Sequence, residues 1–243
     1  MDQFMKSFLQ YISEAFVSPN NGAKYGQVIF LVGGAASGKS TAIRKFIDSS
    51  SYKTINPDGV KDLMRQASEK GITGFEDLVG VDPNTPKGAS VYHQKMRDTK
   101  ISSRYSKRIT SDPSRSPDAY PNLLFDRTFS FAGEIENISK SLIRYGYKPE
   151  NIHIVYVFTD VNIALKRNRE RSRTLADDII VQSAKGAKKN FIDLLFQRMK
   201  SAPVNGDFFM IVNERVITIK KSGKRVDRSG DVAKKVARTL GIL

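Results

Sequence analysis

The most informative stretch of this chain is Gly33-Gly34-Ala35-Ala36-Ser37-Gly38-Lys39-Ser40-Thr41. It fits the phosphate-binding loop pattern G-x-x-x-x-G-K-[ST] at every fixed position. The apolar, β-branched run over 28–32 precedes it, as expected of a buried parallel strand, and 41–47 suits the first turns of a helix. The pattern therefore predicts a strand, a loop whose backbone N–H groups wrap around phosphates, and a helix whose N-terminus adds partial positive charge.

Two side chains of this loop have expected roles. Lys39 is expected to reach the β- and γ-phosphates of a nucleotide, and the Ser40 hydroxyl to ligate Mg²⁺. ATP and Mg²⁺ are therefore the predicted cofactors. The alternative is a Gly/Ser-rich turn that matches the pattern by chance, and the strand before it and the helix after it argue against that.

Composition limits the remaining possibilities. A length of 243 residues fits one domain with a small addition, and a hydrophobic content of 40% is enough to build a core. No apolar run approaches the roughly 20 residues of a transmembrane helix, so no membrane partner is expected. The chain has no cysteine, which excludes disulfides and thiolate metal sites and fits a reducing compartment such as the cytoplasm.

The net charge of +15 favours a polyanionic partner, most simply nucleic acid. A helix expected over 91–110 places Lys100, Arg104 and Arg108 at a spacing of four, on one stripe that suits contact with a phosphate backbone. A generally basic, solvated surface is the alternative explanation of this charge. His93, on the same helix, is not assigned an acid or base role.

Strands and helices alternate from residue 28 onward, which predicts an α/β fold with a doubly wound parallel sheet of the P-loop NTPase and kinase class. The expected division is 1–22 (N-terminal helix or targeting segment with a linker), 23–203 (P-loop domain) and 204–243 (small β-ribbon with a basic helix). The expected strands are 28–32, 52–56, 123–126, 152–158, 208–212 and 214–220. A loop is expected over 71–89, and a helix over 187–200.

Asp58 follows the second expected strand, and the carboxyl ends of parallel strands are where open α/β sheets bind ligands. Its carboxylate has the chemistry to accept a proton from an attacking hydroxyl. Lys61 lies one turn further along the same helix face. Asp58 as a helix cap is an equally good interpretation.

Asp126 ends the apolar strand at 123–126, in a Walker-B-like arrangement that suits Mg²⁺ binding or substrate orientation. A turn-forming aspartate is the alternative. The basic run over 166–173 contains Arg167 and Arg171, which share a helix face and are candidates to stabilise a transferring phosphate. A solvated basic face accounts for the other cations of this run.

These motifs resemble the kinase domain of the T-even bacteriophage polynucleotide kinases over about 27–200. That family combines a Gly-Lys-Ser-Thr loop with an Ile-Asn-x-Asp-x-x-Arg segment, here Ile55–Lys61, and a Lys-Arg-Asn-x-x-Arg lid, here Lys166–Arg171. Zeta-toxin kinases, which phosphorylate a nucleotide sugar, share the outline. The resemblance implies ATP-dependent phosphoryl transfer to a hydroxyl of a nucleic acid or nucleotide, without the phosphatase domain of the phage enzyme.

The resemblance also implies roles for individual residues. Asp58 is the general base, Lys39 and Arg171 act on the transferring phosphate, and Arg167 and Asp126 contact the substrate, with Asp126 also near the metal. Lys61 stands where the polynucleotide kinases have a substrate-binding arginine, and loss of that bidentate fork leaves the acceptor open. A terminal hydroxyl, a hydroxymethylated base in DNA and a nucleotide sugar all fit.

The N-terminal stretch Met5–Ala15 resembles the capsid-targeting segments of tailed-phage internal head proteins. Those segments are cut after an Ile/Leu-x-Glu triplet, here Ile12-Ser13-Glu14. This implies a phage-encoded protein in the host cytoplasm or packaged in a head. An amphipathic helix packed on the core is the alternative. A nucleotide-dependent nucleic-acid-binding or head protein that performs no transfer is the second functional hypothesis.

Overall fold

The computed structural model describes residues 17, 19, 24–83, 85–101, 104, 107, 120–171, 174–196, 202–212, 215–224 and 231–241. The predicted targeting segment with its Ile12-Ser13-Glu14 triplet lies outside the described residues. Arg108, the last member of the predicted basic stripe, also lies outside them. Elements are numbered below in chain order within the described part.

Six strands form one sheet in the order β2-β3-β1-β4-β5-β6. The strands are β1 (Val28–Val32), β2 (Lys53–Ile55), β3 (Leu123–Asp126), β4 (Ile152–Val157), β5 (Phe208–Val212) and β6 (Arg215–Lys220). The first five run parallel, and β6 pairs antiparallel with β5 at the edge. This mostly parallel sheet confirms the predicted α/β fold class.

Helices cover both faces of the sheet. They are α1 (Lys39–Phe46), α2 (Pro57–Glu69), α3 (Pro86–Thr99), α4 (Glu134–Arg144), α5 (Val161–Arg169), α6 (Asp177–Leu195) and α7 (Asp231–Thr239), with 3-10 turns at Ser49–Ser51, Glu76–Leu78 and Pro149–Asn151. Residues of α4, α6 and α7 pack in the main core with one face of the sheet, and residues of α1 pack with the other face. The doubly wound arrangement predicted from the alternation of elements is therefore present.

Two helices begin earlier than predicted. The segment assigned to a loop until Ala89 is already helical from Pro86, because the Thr85 side chain accepts a hydrogen bond from the N–H of Gly88 at 3.1 Å. A threonine cap followed by proline is a favourable helix start. Helix α6 begins at Asp177 rather than at residue 187, although Gly186 in its interior has low helix propensity.

The C-terminal strands continue the main sheet. They pair with each other as a ribbon, as predicted, but β5 is also paired in parallel with β4, with Ile154 opposite Phe208. Four consecutive residues of β5, Phe208–Ile211, are buried, as expected of a strand covered on both faces. The strands on either side of position 204 therefore belong to one sheet, and the division at 203–204 stays a prediction.

Aromatic side chains fill the main core. Phe30 of β1 stacks on Phe125 with ring centroids 5.1 Å apart and meets Phe129 edge-on at 5.3 Å. A second, smaller cluster of Val60, Met64, Leu78 and Tyr92 joins α2, the turn at Glu76–Leu78 and α3. The helices that follow β2 thus have an apolar core of their own.

A buried histidine joins three segments at the amino edge of the sheet. The Nδ1 atom of His153 accepts a hydrogen bond from the N–H of Asp207 at 2.8 Å. Its Nε2 is hydrogen-bonded to Gln27 Oε1 at 2.6 Å, and the buried Asp207 carboxylate lies 3.3 Å from Nδ1. His153 is fully buried, so both bonds are made away from water.

We expect His153→Leu to lower the melting temperature by several degrees, because it leaves buried polar groups without a partner at about 1–3 kcal/mol each. Thermal unfolding of the purified protein measures this. His93→Leu is the control, since His93 is exposed on α3 and surface changes of this kind are usually within about 0.5 kcal/mol. Equal melting temperatures for the two variants would contradict this account of the network.

Candidate active site

The sheet brings the predicted site residues to one edge. The phosphate-binding loop follows β1, Asp58 follows β2, Asp126 ends β3 and Thr159 follows β4. These four strands are neighbours and parallel, so their carboxyl ends meet at the same edge. This is the edge at which open α/β sheets bind ligands.

The loop has the backbone shape of an anion cradle. Gly38, the N-cap of α1, has φ of +91°, and Ala36 has φ of +60°. Left-handed residues in such a loop turn successive N–H groups toward a common point, which the N-terminus of α1 also faces. Positive φ at these two residues fits the loop conformation that the sequence pattern predicts.

Other elements hold the loop from outside. The Thr159 hydroxyl donates to the Ser37 carbonyl oxygen at 2.7 Å, and the N–H of Ala35 donates to Ser183 Oγ at 2.9 Å. A Cβ placed on Gly34 would lie 2.8 Å from the Cα of Ala184 in α6. Sequence reasoning missed Thr159 and Ser183, because nothing in the motif points to residues that lie more than 100 positions away.

Lys39 lies at the electrostatic centre of the site. Its Nζ donates to the carbonyl oxygens of Gly33 at 3.0 Å and Gly34 at 3.3 Å. Burial lowers the pKa of Lys39, Asp126 and Asp58 oppose that shift, and Arg171 adds to it. Three of the residues predicted from separate motifs therefore act on the loop lysine.

Asp126 offers an oxygen for a cation. Its Oδ1 is buried and has no hydrogen-bond partner among the described residues. Burial raises the pKa of Asp126, Lys39 lowers it, and Asp58 raises it. An unsatisfied carboxylate oxygen near the hydroxyl-bearing start of α1 fits Mg²⁺, which prefers oxygen ligands.

Only two residues, Ser40 and Asp126, are predicted to bind Mg²⁺, and a magnesium site of this kind needs few protein ligands. Within the described residues there is no group of three or more His, Cys, Asp or Glu side chains that could hold a metal ion. Magnesium in such sites is bound through one or two protein oxygens and the phosphates of the substrate. Ser40, exposed in the first turn of α1, and Asp126 are the residues that would hold it.

The helix cap after β2 is Asn56 and not Asp58. Asn56 Oδ1 accepts a hydrogen bond from the N–H of Gly59 at 2.6 Å. The interpretation of Asp58 as the cap is therefore wrong. The Asp58 side chain is 74% exposed, and its Oδ1 lies 3.1 Å from Nζ of Lys61, whose side chain is only 6% exposed. Lys61 thus binds Asp58 in this structure.

Of the two candidate arginines of the basic run, Arg167 lies at the loop, and Arg171 is close enough for its charge to act on Lys39. A Cβ on Gly38 would be 3.3 Å from Nη1 of Arg167, which places that guanidinium beside the loop. Arg171 is exposed and influences the pKa of Lys39. Arg169 instead pairs with Asp177 at 2.8 Å, so it belongs to the solvated face.

The segment that carries Arg171 is fixed by an asparagine to which the sequence motifs assign no role. Asn168 is 1% exposed; its Nδ2 donates to the Leu175 carbonyl oxygen at 2.7 Å, and its Oδ1 accepts from the Leu175 N–H at 3.0 Å. The backbone N–H of Arg171 donates to the Asn168 carbonyl oxygen at 3.3 Å. The sequence signal that could have identified Asn168 is its place as the asparagine of the Lys-Arg-Asn-x-x-Arg pattern.

A family profile described as AAA domain matches residues 28–190, more than half of the chain. The chain belongs to the AAA domain family. The match begins at β1 and ends within α6, so it contains the loop, both carboxylates and the two arginines. A search of curated protein sequences found no match. No helix among the described residues of this AAA domain is long and apolar enough to cross a membrane.

Two solved structures are similar to this AAA domain. The AvrRxo1-ORF1:-ORF2 complex with ATP has 15% sequence identity and a TM-score of 0.55, covering 90% of this chain and 64% of that chain. A structure of the PezAT chromosomal toxin–antitoxin system of Streptococcus pneumoniae has 14% identity and a TM-score of 0.50, covering 98% and 95%. This chain thus spans less than two thirds of the AvrRxo1 chain. These likenesses show a shared fold.

We expect Gly34→Ala to weaken binding of a nucleoside triphosphate by at least an order of magnitude, because a 2.8 Å contact with Ala184 forces the loop away from α6. Gly59→Ala is the matched control, since its Cβ would meet only Asn56 Oδ1, at an ordinary 3.5 Å. Calorimetric titration measures both. Unchanged affinity in a folded Gly34→Ala protein would show that the position of the loop does not control binding.

Proposed function

We propose that this AAA domain is a P-loop kinase that transfers the γ-phosphate of ATP to a hydroxyl group of a nucleic acid or nucleotide. The observation that supports this most directly is the common electrostatic environment of Lys39, Asp58, Asp126 and Arg171. A phosphate cradle, two carboxylates and an arginine at one sheet edge are the groups that phosphoryl transfer requires.

On the donor side, the loop N–H groups and Lys39 bind the phosphates. Lys39 is oriented by the carbonyl oxygens of Gly33 and Gly34, so its ammonium is already placed when the nucleotide arrives. Ser40 and Asp126 would hold Mg²⁺. When bound, the ion would neutralise the negative charge that develops on the phosphate oxygens.

On the acceptor side, Asp58 is the general base. Its carboxylate takes the proton of the acceptor hydroxyl while that oxygen forms a bond to the γ-phosphorus, and the bond from the γ-phosphorus to the bridging oxygen breaks to release ADP. Lys61 orients the Asp58 carboxylate through their 3.1 Å contact. A direct contact of Lys61 with the substrate stays a prediction.

The two arginines stabilise the transferring group. Charge spreads over the equatorial oxygens of the phosphoryl group in the transition state, and preplaced cations lower its energy. Arg167 lies beside Gly38, and the charge of Arg171 acts on Lys39, so both arginines belong to the surroundings of the loop.

A binding protein without transfer is the second candidate function, and the net charge of +15 favours it equally. Such a protein binds nucleic acid in response to a nucleotide and has no need of an exposed carboxylate held by a buried lysine. A phage origin, and a location in the host cytoplasm or a phage head, rest on the N-terminal segment. They are proposals of the same kind.

We expect Asp58→Asn to lower phosphate transfer by about 10²- to 10⁴-fold while ATP affinity stays within a few-fold, because only the base is lost. The assay is γ-labelled ATP with DNA, RNA, DNA containing hydroxymethylated bases and nucleotide sugars. Asp62→Asn is the matched control, an exposed aspartate one turn further along α2. Normal transfer by Asp58→Asn would refute the mechanism, and absence of transfer to every acceptor by the unaltered protein would favour the binding function.

We expect Asp126→Asn to reduce the Mg²⁺-dependent part of ATP binding at least tenfold and to spare the binding measured in EDTA. The ligand-free melting temperature should not fall, since burial raises the pKa of Asp126 and so disfavours its ionised form in the folded protein. Titrations with and without Mg²⁺ test this, again with Asp62→Asn as control. Equal dependence on Mg²⁺ in both variants would remove Asp126 from the metal site.

A further inference from the structure

Phe131 is the most exposed large hydrophobic side chain of the described residues, at 78%. It lies in the loop over 127–133, between β3 and α4. In the sheet order, β2 and β3 lie on one side of β1, so Phe131 is on the same side of the phosphate-binding loop as Asp58 and Asp126. An exposed aromatic ring therefore lies on the side of the phosphate-binding loop at which the acceptor is proposed to bind.

This ring is mounted on a rigid support. Asn190 Nδ2 donates to the Phe129 carbonyl oxygen at 2.8 Å, and Gly186 approaches Ser130 so closely that a Cβ there would collide with the Ser130 backbone. The N–H of Gly33 contacts the Thr128 carbonyl oxygen at 3.4 Å. The loop is thus tied both to α6 and to the phosphate-binding loop.

The loop is also strained at one residue. Phe129 has φ of +50° although it is bulky, and it is fully buried against Phe30. A bulky residue in the left-handed region is unfavourable and persists where the surrounding structure enforces it, most often at ligand sites. Because Phe129 points into the core, the chain emerges with Phe131 outside.

The loop and the part of α6 that contacts it both carry cationic residues. Arg127 pairs with Glu134 at 3.1 Å, yet its Nε is buried without a hydrogen-bond partner among the described residues. Lys185 and Lys188 lie on either side of Gly186, the residue of α6 that contacts Ser130. Proteins bind unpaired nucleotides by stacking the bases on exposed aromatic rings while cations of the same protein contact the phosphates.

We infer that the ring of Phe131 stacks on the nucleobase of the phosphate acceptor. The acceptor is then a base-bearing molecule, either a nucleotide or an unpaired nucleotide of a strand, and not a base-free sugar. This inference rests on the proposed function for its place in the reaction. Because the backbone of the loop is held by these contacts, the loop itself needs little ordering when a base binds.

The first test uses the absence of tryptophan from this chain. Phe131→Trp introduces a single fluorophore that keeps an aromatic face, and stacking on a base is expected to quench it. A single-stranded oligonucleotide and a nucleoside monophosphate are titrated separately, which distinguishes the two sources of the base. Tyr25→Trp is the control, a 45% exposed aromatic that precedes β1 at the opposite edge of the sheet.

Quenching of Phe131→Trp by either probe, but not by a base-free ribose phosphate or by Mg²⁺-ATP alone, is the expected result. Equal quenching by the base-free probe would overturn the inference, since phosphate contact would then suffice. Quenching by ATP alone would also overturn it, because the ring would then serve the donor. This readout does not need phosphate transfer, so it stands apart from the test of the proposed function.

The second test is kinetic. Phe131→Ala and Phe131→Leu are expected to raise the KM of a base-bearing acceptor by about 5- to 150-fold and to leave the KM of ATP unchanged, whereas Phe131→Tyr keeps the KM of the acceptor near that of the unaltered protein. A normal acceptor KM in Phe131→Leu would show that an aromatic face is not required and would overturn the inference. Both outcomes leave the proposed transfer by Asp58 intact.

Discussion

The close approach of α6 to the phosphate-binding loop is the constraint on which the site depends. The backbone of Gly34 lies so near Ala184 that no side chain fits between them, and the next N–H, of Ala35, donates to Ser183. These contacts fix the loop against α6. Without such support, the loop would have to become ordered when the nucleotide binds. The entropy lost in that ordering would weaken binding.

The same helix orders the other two parts of the site. Near its start, Ile180 packs with Ala36 of the loop and Ala164 of α5, so the helix before Arg171 shares an apolar cluster with the phosphate cradle. Further along, Gly186 and Asn190 hold the loop that follows Asp126. Two small residues of α6, Ala184 and Gly186, let the phosphate-binding loop and the loop after Asp126 approach its backbone closely. The phosphate-binding loop, the helix before Arg171 and the loop over 127–133 are therefore positioned relative to one another by one rigid element.

The sequence predicts much of this fold, because the decisive signals are local. An apolar strand, a glycine-rich loop and a helix follow one another within twenty residues, and parallel topology then requires Asp58 and Asp126 to reach the edge where the loop lies. The supporting contacts are not local. Ser183 and Thr159 contact a loop more than 100 residues away. Gly186, which lies just before the predicted start of that helix at residue 187, is the residue that contacts Ser130. Phe131 gave no signal either, since a single phenylalanine near a strand end is most simply a core residue.

The ionic balance of the site explains why a phosphate should be its natural ligand. Burial disfavours the charge on both Lys39 and Asp126, and each only partly offsets the penalty of the other. Lys39 donates only to neutral carbonyl oxygens, and Asp126 keeps one oxygen unsatisfied among the described residues. A nucleotide with its metal ion would supply an anion to the lysine and a cation to the carboxylate in one step. Because a ligand stabilises the state that binds it, the free energy lost in keeping these groups buried and incompletely paired is returned when the nucleotide binds.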